Sequence, residues 1–174
     1  MKNYPFFHLP NSSVVPFVPK VGCASLHRNI FKHNVKNKLK EKIRFLKRTH
    51  NNQKCLFPVR DVFERFSSAV WQVNKGKEKI SVNEILDGLE NGTYNNFHFK
   101  PQYEILEICK GCESVTFYRF PEEFDKMLMD GGIDPCGEIR NKSNNKPELT
   151  PEQEERVQAL YSEDIALLES LPIT

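Results

Sequence analysis

The sequence contains no long run of apolar residues, which argues against a membrane-spanning helix. The longest apolar stretch near the start, Val14 to Val18, includes Pro16 and is far shorter than the roughly 20 residues that cross a bilayer. Met1 to Pro10 also lack the basic start and long apolar stretch of a signal peptide. We therefore expect a cytoplasmic protein without a membrane span.

A disulfide framework is not expected either. The chain has five cysteines, and an odd number without a secretion signal argues against systematic pairing. The 174 residues are 39% hydrophobic and 28% charged, which is ordinary for a folded protein. That length fits one domain, 1–174, which can bury a core without disulfide or metal staples.

The net charge is only +2, but the charges are unevenly distributed. Between His27 and Lys54 there are ten Lys or Arg residues and one acidic residue. A helical period over Leu26 to Arg48 makes this a basic helix, which could attract an anionic donor or an acidic glycan, bind nucleic acid, or be a solvated face. Its aromatic residues, Phe31 and Phe45, fit the buried stripe, so we do not expect nucleic-acid binding.

Strand and helix patterns alternate along the chain, which is typical of a parallel sheet in an α/β fold. Ligands bind such sheets at the carboxyl ends of the strands, where Lys20 to Ser25 and Arg60 are expected. Predicted strands cover Val14–Val18, Cys55–Val59 (weakened by Pro58) and Ser114–Tyr118, and predicted helices cover Leu26–Arg48, Pro121–Met129 and the segments that begin at Asp61, Ser81 and Thr150.

Three helix starts carry capping signals. Ser81 with Glu84, and Thr150 with Gln153, have the spacing of a capping box, and Pro151 suits the first helical position. Asp61 with Glu64 has the same spacing. Gly92 is a fitting stop for the Ser81 helix, and the Thr150 helix is predicted to continue to about Leu171.

The segment from Lys20 to Ser25 joins a strand to a helix through small residues. Gly22, Ala24 and Ser25 let backbone N–H groups approach an anion, and Lys20 adds a cation. A nucleoside-triphosphate loop would end in Gly-Lys-Ser/Thr, whereas this lysine precedes the glycine. The alternative interpretation is an ordinary turn with a surface lysine.

A second candidate group begins at Arg60, at the end of the next strand. Arg60 and Ser68, two turns into the following helix, could bind a second phosphate through charge-assisted hydrogen bonds. Alternatively, Arg60 pairs with Asp61 or Glu64, and Ser68 is merely small and polar.

Four segments, in order, resemble the Golgi-type carbohydrate sulfotransferases. PKVGCASL resembles their 5′-phosphosulfate loop, FPVRDVFERFSSAV their 3′-phosphate segment, and HFKPQYEILEICKGC their His-aromatic-x-Pro-Gln segment with its later Cys pair. NKS followed by LTPEQEERVQALYSEDIALLESL resembles their closing loop and terminal helix. The resemblance covers about Val14 to Leu171. Val62 replaces the usual Pro, Phe99 replaces the usual Trp, and the Golgi membrane anchor is missing, as in a bacterial or viral member.

The resemblance implies a three-layer, P-loop-like sulfotransferase fold with a short parallel sheet flanked by helices. It implies transfer of a sulfuryl group from 3′-phosphoadenosine 5′-phosphosulfate (PAPS) to an acceptor hydroxyl on a carbohydrate, without a metal ion. Arg60 and Ser68 would hold the 3′-phosphate. The 5′-phosphosulfate would be held by Lys20, Val21, Gly22, Cys23, Ala24 and Ser25, and the nucleotide would be covered by Asn141, Lys142 and Ser143.

Sulfuryl transfer needs a base for the acceptor proton and a cation for the leaving phosphate. Lys20 is the candidate cation. His98 is the preferred base, because it lies in the family's His-aromatic-x-Pro segment; His50 is the second choice and Glu64 the third. A loop histidine that binds backbone is the alternative for His98.

Other functions are weighed against this one. Cys109 and Cys112 have Cys-x-x-Cys spacing but no matching second pair, so we interpret them as structural or incidental rather than as a zinc or redox site. A kinase-like transferase would need the Gly-Lys-Ser/Thr loop. A non-catalytic module that binds anions or glycans on the same fold is the main alternative. The oligomeric state and the acceptor's identity stay open.

Overall fold

A computed structural model describes residues 6–22, 25–26, 52–76, 78–135 and 145–171 of the chain. The basic helix predicted over Leu26–Arg48 lies almost entirely outside these residues. Within them, no helix is both long and apolar enough to cross a membrane.

Four strands form one sheet in the order β1-β2-β3-β4. The strands β2, β3 and β4 are parallel, and β1 pairs antiparallel with β2 at the edge. Their bounds are β1 Phe6–His8, β2 Val14–Pro16, β3 Lys54–Val59 and β4 Ser114–Arg119. The predicted α/β class with a small, mostly parallel sheet flanked by helices is thus confirmed, and β1 is an addition to it.

The central strand β3 is buried from its second residue to its last, as expected for a parallel strand covered on both faces. Pro58 is tolerated in this strand although proline cannot donate to a ladder. The β2–β3 pairing runs through Val14 and Cys55, three residues before Pro58, and Pro58 lies opposite Tyr118 in the β3–β4 pairing.

Helices follow the strands as the capping signals predict. Ser81 and Thr150 both form complete capping boxes, with Glu84 and Gln153 respectively. The predicted terminal helix is divided at Tyr161, whose backbone leaves the helical region. The helices are α1 Val62–Val73, α2 Val82–Glu90, α3 Gln102–Leu106, α4 Phe124–Asp130, α5 Pro151–Leu160 and α6 Ser162–Ser170, with 3₁₀ helices at Phe97–Phe99 and Glu107–Gly111.

The buried apolar residues form two clusters. One surrounds the sheet and includes Val14, Phe57 and Met127. The other lies between α1, α2, α5 and the 3₁₀ helix Phe97–Phe99, around Phe66 and Ile85. The strand β2 belongs to the first cluster, and the helix α1, which follows β3, belongs to the second. The carboxyl ends of β2 and β3 therefore lie near the boundary between the two clusters.

Candidate functional site

The two candidate groups predicted from the sequence are in direct contact. Arg60 Nη1 donates a 2.8 Å hydrogen bond to the backbone oxygen of Lys20. The contact exists because β2 and β3 are parallel neighbours, so the segments that follow their carboxyl ends leave the same edge of the sheet. One arginine therefore joins the Lys20 loop to the start of α1.

The side chain of Lys20 extends along α1. Its Nζ lies 3.5 Å from Gln72 Oε1 and 5.7 Å from the centroid of the Trp71 ring. Glu64, Ser68 and Gln72 are spaced by four residues, so they share one face of the helix. The Lys20 main chain thus contacts Arg60, just before the start of α1, and the Lys20 amine contacts Gln72, near the end of α1. Ser68 lies between these two contacts along the helix.

The backbone of the loop is unusual at two positions. Lys20 has φ +67° and Gly22 has φ +84°, and a positive φ is uncommon for any residue other than glycine. Gly22 is also required sterically, because a Cβ placed there would lie 2.5 Å from Phe120 Cε2. Strained backbone of this kind is concentrated at functional sites.

Arg60 is held on several sides. Its side chain is 13% exposed, its guanidinium carbon lies 5.4 Å from the centroid of the Phe120 ring, and Nη2 donates to Glu64 Oε2 at 3.0 Å. Burial lowers the pKa of Arg60 and Glu64 opposes that shift; the guanidinium stays protonated at neutral pH. The ion pair between Arg60 and Glu64, which the alternative interpretation predicted, is therefore present in the structure.

Glu64 differs from its predicted capping role. Asp61 does cap α1 by accepting from the backbone N–H of Glu64 at 2.8 Å, but the Glu64 carboxylate contacts Arg60 and Lys146 instead of reaching back to Asp61. The Lys146 hydrogen bond is the main cause that lowers the pKa of Glu64. A carboxylate held by two cations is a weak base, so this contact argues against Glu64 as the general base.

His98 lies in the 3₁₀ helix Phe97–Phe99, close enough to Lys20 for the positive charge of the lysine to disfavour protonation of the imidazole. Burial, and then the charge of Lys20, lowers the pKa of His98, so its imidazole is neutral at pH 7. Its Nδ1 is buried without a hydrogen-bond partner among the described residues. The ring of the preceding Phe97 stacks on Phe17, which follows β2, with centroids 5.6 Å apart.

Three predicted site residues are buried. Ser25 is fully buried at the start of a helix, and Ser68 is 4% exposed. Val21 is buried beside Gly22. Five further predicted site residues lie outside the described residues: Cys23, Ala24, Asn141, Lys142 and Ser143; so does the second candidate base, His50.

Gln102 contacts the candidate site but was not among the site residues predicted from the sequence. Its fully buried side chain accepts from the Arg60 backbone N–H at 2.9 Å and donates to the Arg60 oxygen at 3.0 Å. The Gln102 backbone N–H donates in turn to Asp164 at 2.9 Å. Gln102 thus fixes the main chain of Arg60. The only signal for it in the sequence was its place in the His-aromatic-x-Pro-Gln segment.

The Cys109–Cys112 pair does not stand alone. Cys109 Sγ lies 3.5 Å from Sγ of Cys55 on β3, and all three of these cysteines are free thiols. Among the described residues, no group of three or more His, Cys, Asp or Glu side chains is arranged to hold a metal ion.

No model of a protein family matches the chain, and no curated protein matches it. A solved structure, "Crystal Structure of Sulfotransferase from Alicyclobacillus acidocaldarius", is similar with 21% sequence identity and a TM-score of 0.43. The match covers 68% of this chain and 53% of that one, so the chain spans about half the length of that sulfotransferase. A likeness at this level does not establish a shared activity, and the Golgi-type family stays a prediction from the sequence.

Proposed function

We propose that this protein transfers a sulfuryl group from PAPS to a hydroxyl group of a carbohydrate. The observation that carries the proposal is the 2.8 Å hydrogen bond from Arg60 to the Lys20 backbone oxygen. It brings together the two segments that resemble, independently, the 5′-phosphosulfate loop and the 3′-phosphate segment of sulfotransferases. A donor with phosphates at both ends of its ribose needs a binding group for each phosphate, and these two adjacent segments would supply one each.

The residues present suit that donor. Lys20 supplies a cation at the loop, and Arg60 supplies a partly buried guanidinium whose Nη2 is held by Glu64 at 3.0 Å. The Glu64 side chain is 57% exposed, so it can turn into solvent when a phosphate takes its place on Arg60. Ser68, one helical turn beyond Glu64, adds a hydroxyl on the same face.

The proposed reaction is a single in-line displacement. The acceptor oxygen forms a bond to sulfur while the bond from sulfur to the 5′-phosphate oxygen breaks, which yields a sulfate ester and adenosine 3′,5′-bisphosphate. His98, neutral at pH 7 because burial and Lys20 lower its pKa, takes the acceptor proton. Lys20 stabilises the negative charge that develops on the departing phosphate.

The test is transfer of labelled sulfate from PAPS to a panel of oligosaccharides, with Lys20→Ala and Lys110→Ala compared. Lys20→Ala should lower turnover roughly 100- to 1,000-fold, as loss of one donor to a developing anion does in other enzymes. Lys110→Ala is the matched control, because its side chain is 72% exposed and pairs with Glu107 in the 3₁₀ helix Glu107–Gly111.

Lys110→Ala should retain full turnover. Equal turnover in the wild type and Lys20→Ala would contradict the assignment of the loop. Tight binding of adenosine 3′,5′-bisphosphate, with no transfer to any acceptor in the panel, would favour a non-catalytic binding module instead.

A further inference from the structure

A lysine from a distant part of the chain, Lys146, shares an anion with Arg60. Glu64 Oε2 accepts a hydrogen bond from Arg60 Nη2 at 3.0 Å and another from Lys146 Nζ. Glu64 lies in the first turn of α1, where the helix dipole also favours a negative charge. One carboxylate oxygen is therefore held between two cations at the start of this helix.

The two cations are more sheltered than the anion between them. The side chains of Arg60 and Lys146 are 13% and 23% exposed, whereas that of Glu64 is 57% exposed. Arg60 also keeps its 2.8 Å hydrogen bond to the Lys20 oxygen whether or not the carboxylate is present. In an ordinary surface ion pair both partners are well solvated. Here the carboxylate can return to solvent more easily than either cation, so it is the replaceable member of the group.

The segment that carries Lys146 is anchored just beyond it. Leu149 packs against the second apolar cluster, and Thr150 begins α5 with a complete capping box. Gln153 Nε2 then donates to Asn83 Oδ1, on α2, at 2.8 Å. Because α1 contributes to the same apolar cluster, these contacts keep Lys146 close to the first turn of α1.

We propose that Lys146 is a further ligand of the donor's 3′-phosphate, and that Glu64 occupies the phosphate position until the nucleotide displaces it. This inference rests on the proposed function, because it concerns the same phosphate that we place on Arg60. A phosphate monoester carries a charge of about −1.5 to −2 at pH 7 and has three acceptor oxygens. It can therefore bind both cations at once, and their two positive charges balance it once the Glu64 carboxylate has turned into solvent.

The experiment is a double-mutant cycle on nucleotide binding, measured by isothermal titration calorimetry without an acceptor. The proteins are the wild type, Lys146→Ala, Glu64→Gln and the variant with both substitutions, and the ligands are adenosine 3′,5′-bisphosphate and adenosine 5′-monophosphate. Lys146→Ala should raise the Kd of the bisphosphate roughly 10- to 150-fold, as expected for loss of a charge-assisted hydrogen bond. The Kd of the monophosphate, which has no 3′-phosphate, should stay the same.

The cycle separates direct binding by Lys146 from an effect exerted through Glu64. If Lys146 binds the phosphate, Lys146→Ala should weaken bisphosphate binding by a similar factor in the Glu64→Gln protein, where the carboxylate is gone. If Lys146 only draws Glu64 away from Arg60, the same substitution should have no effect in that protein. Lys146→Gln keeps most of the side-chain length and should show the same loss as Lys146→Ala.

Lys110→Ala is the matched control for removing a lysine that pairs with a glutamate. Lys110 Nζ contacts Glu107 Oε2, and both residues lie in the 3₁₀ helix that precedes β4, away from the carboxyl ends of the strands. This variant should bind both nucleotides as tightly as the wild type.

Two results would overturn the inference, and they differ in what they say about the proposed function. If the wild type prefers the bisphosphate, and Lys146→Ala in the folded Glu64→Gln protein leaves that Kd unchanged, Lys146 is not a phosphate ligand and the donor site on Arg60 stands. If the wild type binds both nucleotides equally, there is no 3′-phosphate site and the proposed function fails as well. Bisphosphate binding that depends on Lys146, without sulfuryl transfer, would uphold the inference and contradict only the proposed transfer.

Discussion

Replacing Arg60 with alanine is the change that most directly probes the junction between the two candidate segments. The Arg60 guanidinium donates to the Lys20 oxygen at 2.8 Å and to Glu64 at 3.0 Å, and it faces the Phe120 ring. If Arg60 holds the 3′-phosphate, Arg60→Ala removes a charge-assisted hydrogen bond worth about 1.5–3 kcal/mol. That loss corresponds to roughly a 10- to 150-fold increase in Kd for adenosine 3′,5′-bisphosphate.

Isothermal titration calorimetry with the bisphosphate measures this change. Glu64→Gln is the matched variant, because it weakens the ion pair that occupies Arg60 but keeps the arginine and the approximate size of the side chain. We expect Glu64→Gln to bind the bisphosphate as tightly as the wild type or a few-fold more tightly. An unchanged Kd in a folded Arg60→Ala variant would refute the placement of the 3′-phosphate on Arg60.

Two further predictions concern His98 and Gly22. The rate of sulfuryl transfer should fall as the pH drops through the pKa of His98, which is lowered below its usual value of 6.5, because protonation removes the base. His98→Asn should abolish this fall at acidic pH and lower the rate roughly 100- to 10,000-fold. If only His50→Asn abolished the fall, the base would be His50 instead. Gly22→Ala should lower the free energy of unfolding by about 2–4 kcal/mol, since it combines a left-handed backbone with overpacking. Gly92→Ala, at a position with φ +68° and open space around it, should lower the free energy of unfolding by only about 1 kcal/mol. Gly76→Ala, with nothing within 4 Å of the added Cβ, should leave that free energy unchanged. Equal melting temperatures for the Gly22 and Gly76 variants in a thermal denaturation experiment would contradict the steric argument.

Local signals accounted for much of the fold. The capping boxes at Ser81 and Thr150 appear as predicted, because a cap depends on residues only three positions apart. The strand β3 was predicted despite Pro58, since an apolar run of its length suits a buried parallel strand. The edge strand Phe6–His8 was missed, because three residues are too few to show a period.

Contacts between distant segments were harder to predict. The terminal helix was expected to be continuous, but it divides at Tyr161, whose hydroxyl donates to the Phe99 oxygen at 2.7 Å. This bond joins residues 62 positions apart, which a pattern of apolar residues cannot reveal. The closeness of Cys55 to Cys109 was missed for the same reason, since Cys-x-x-Cys spacing indicates only the pair within it.

The candidate site was predicted in part. Arg60 and the Lys20 loop could be placed together because parallel strands end at one edge of the sheet, and their contact agrees with that expectation. The two hydrogen bonds by which Gln102 holds Arg60 depend on where the start of α3 lies relative to Arg60, 42 residues earlier, which local patterns do not encode. The pairing of Glu64 with Lys146, 82 residues away, displaced the capping role that its spacing suggested.

The central claim is that one site binds a nucleotide with both a 5′- and a 3′-phosphate, and thermal unfolding of the wild type with different nucleotides tests it most directly. Adenosine 3′,5′-bisphosphate at about 100 times its Kd should stabilise the protein by about 2.7 kcal/mol, which raises Tm by roughly 5–10 °C for a chain of this size. Adenosine 5′-monophosphate and ATP, which lack the 3′-phosphate, should raise it much less. An equal rise with all three nucleotides, or no rise with the bisphosphate, would contradict the proposed donor site.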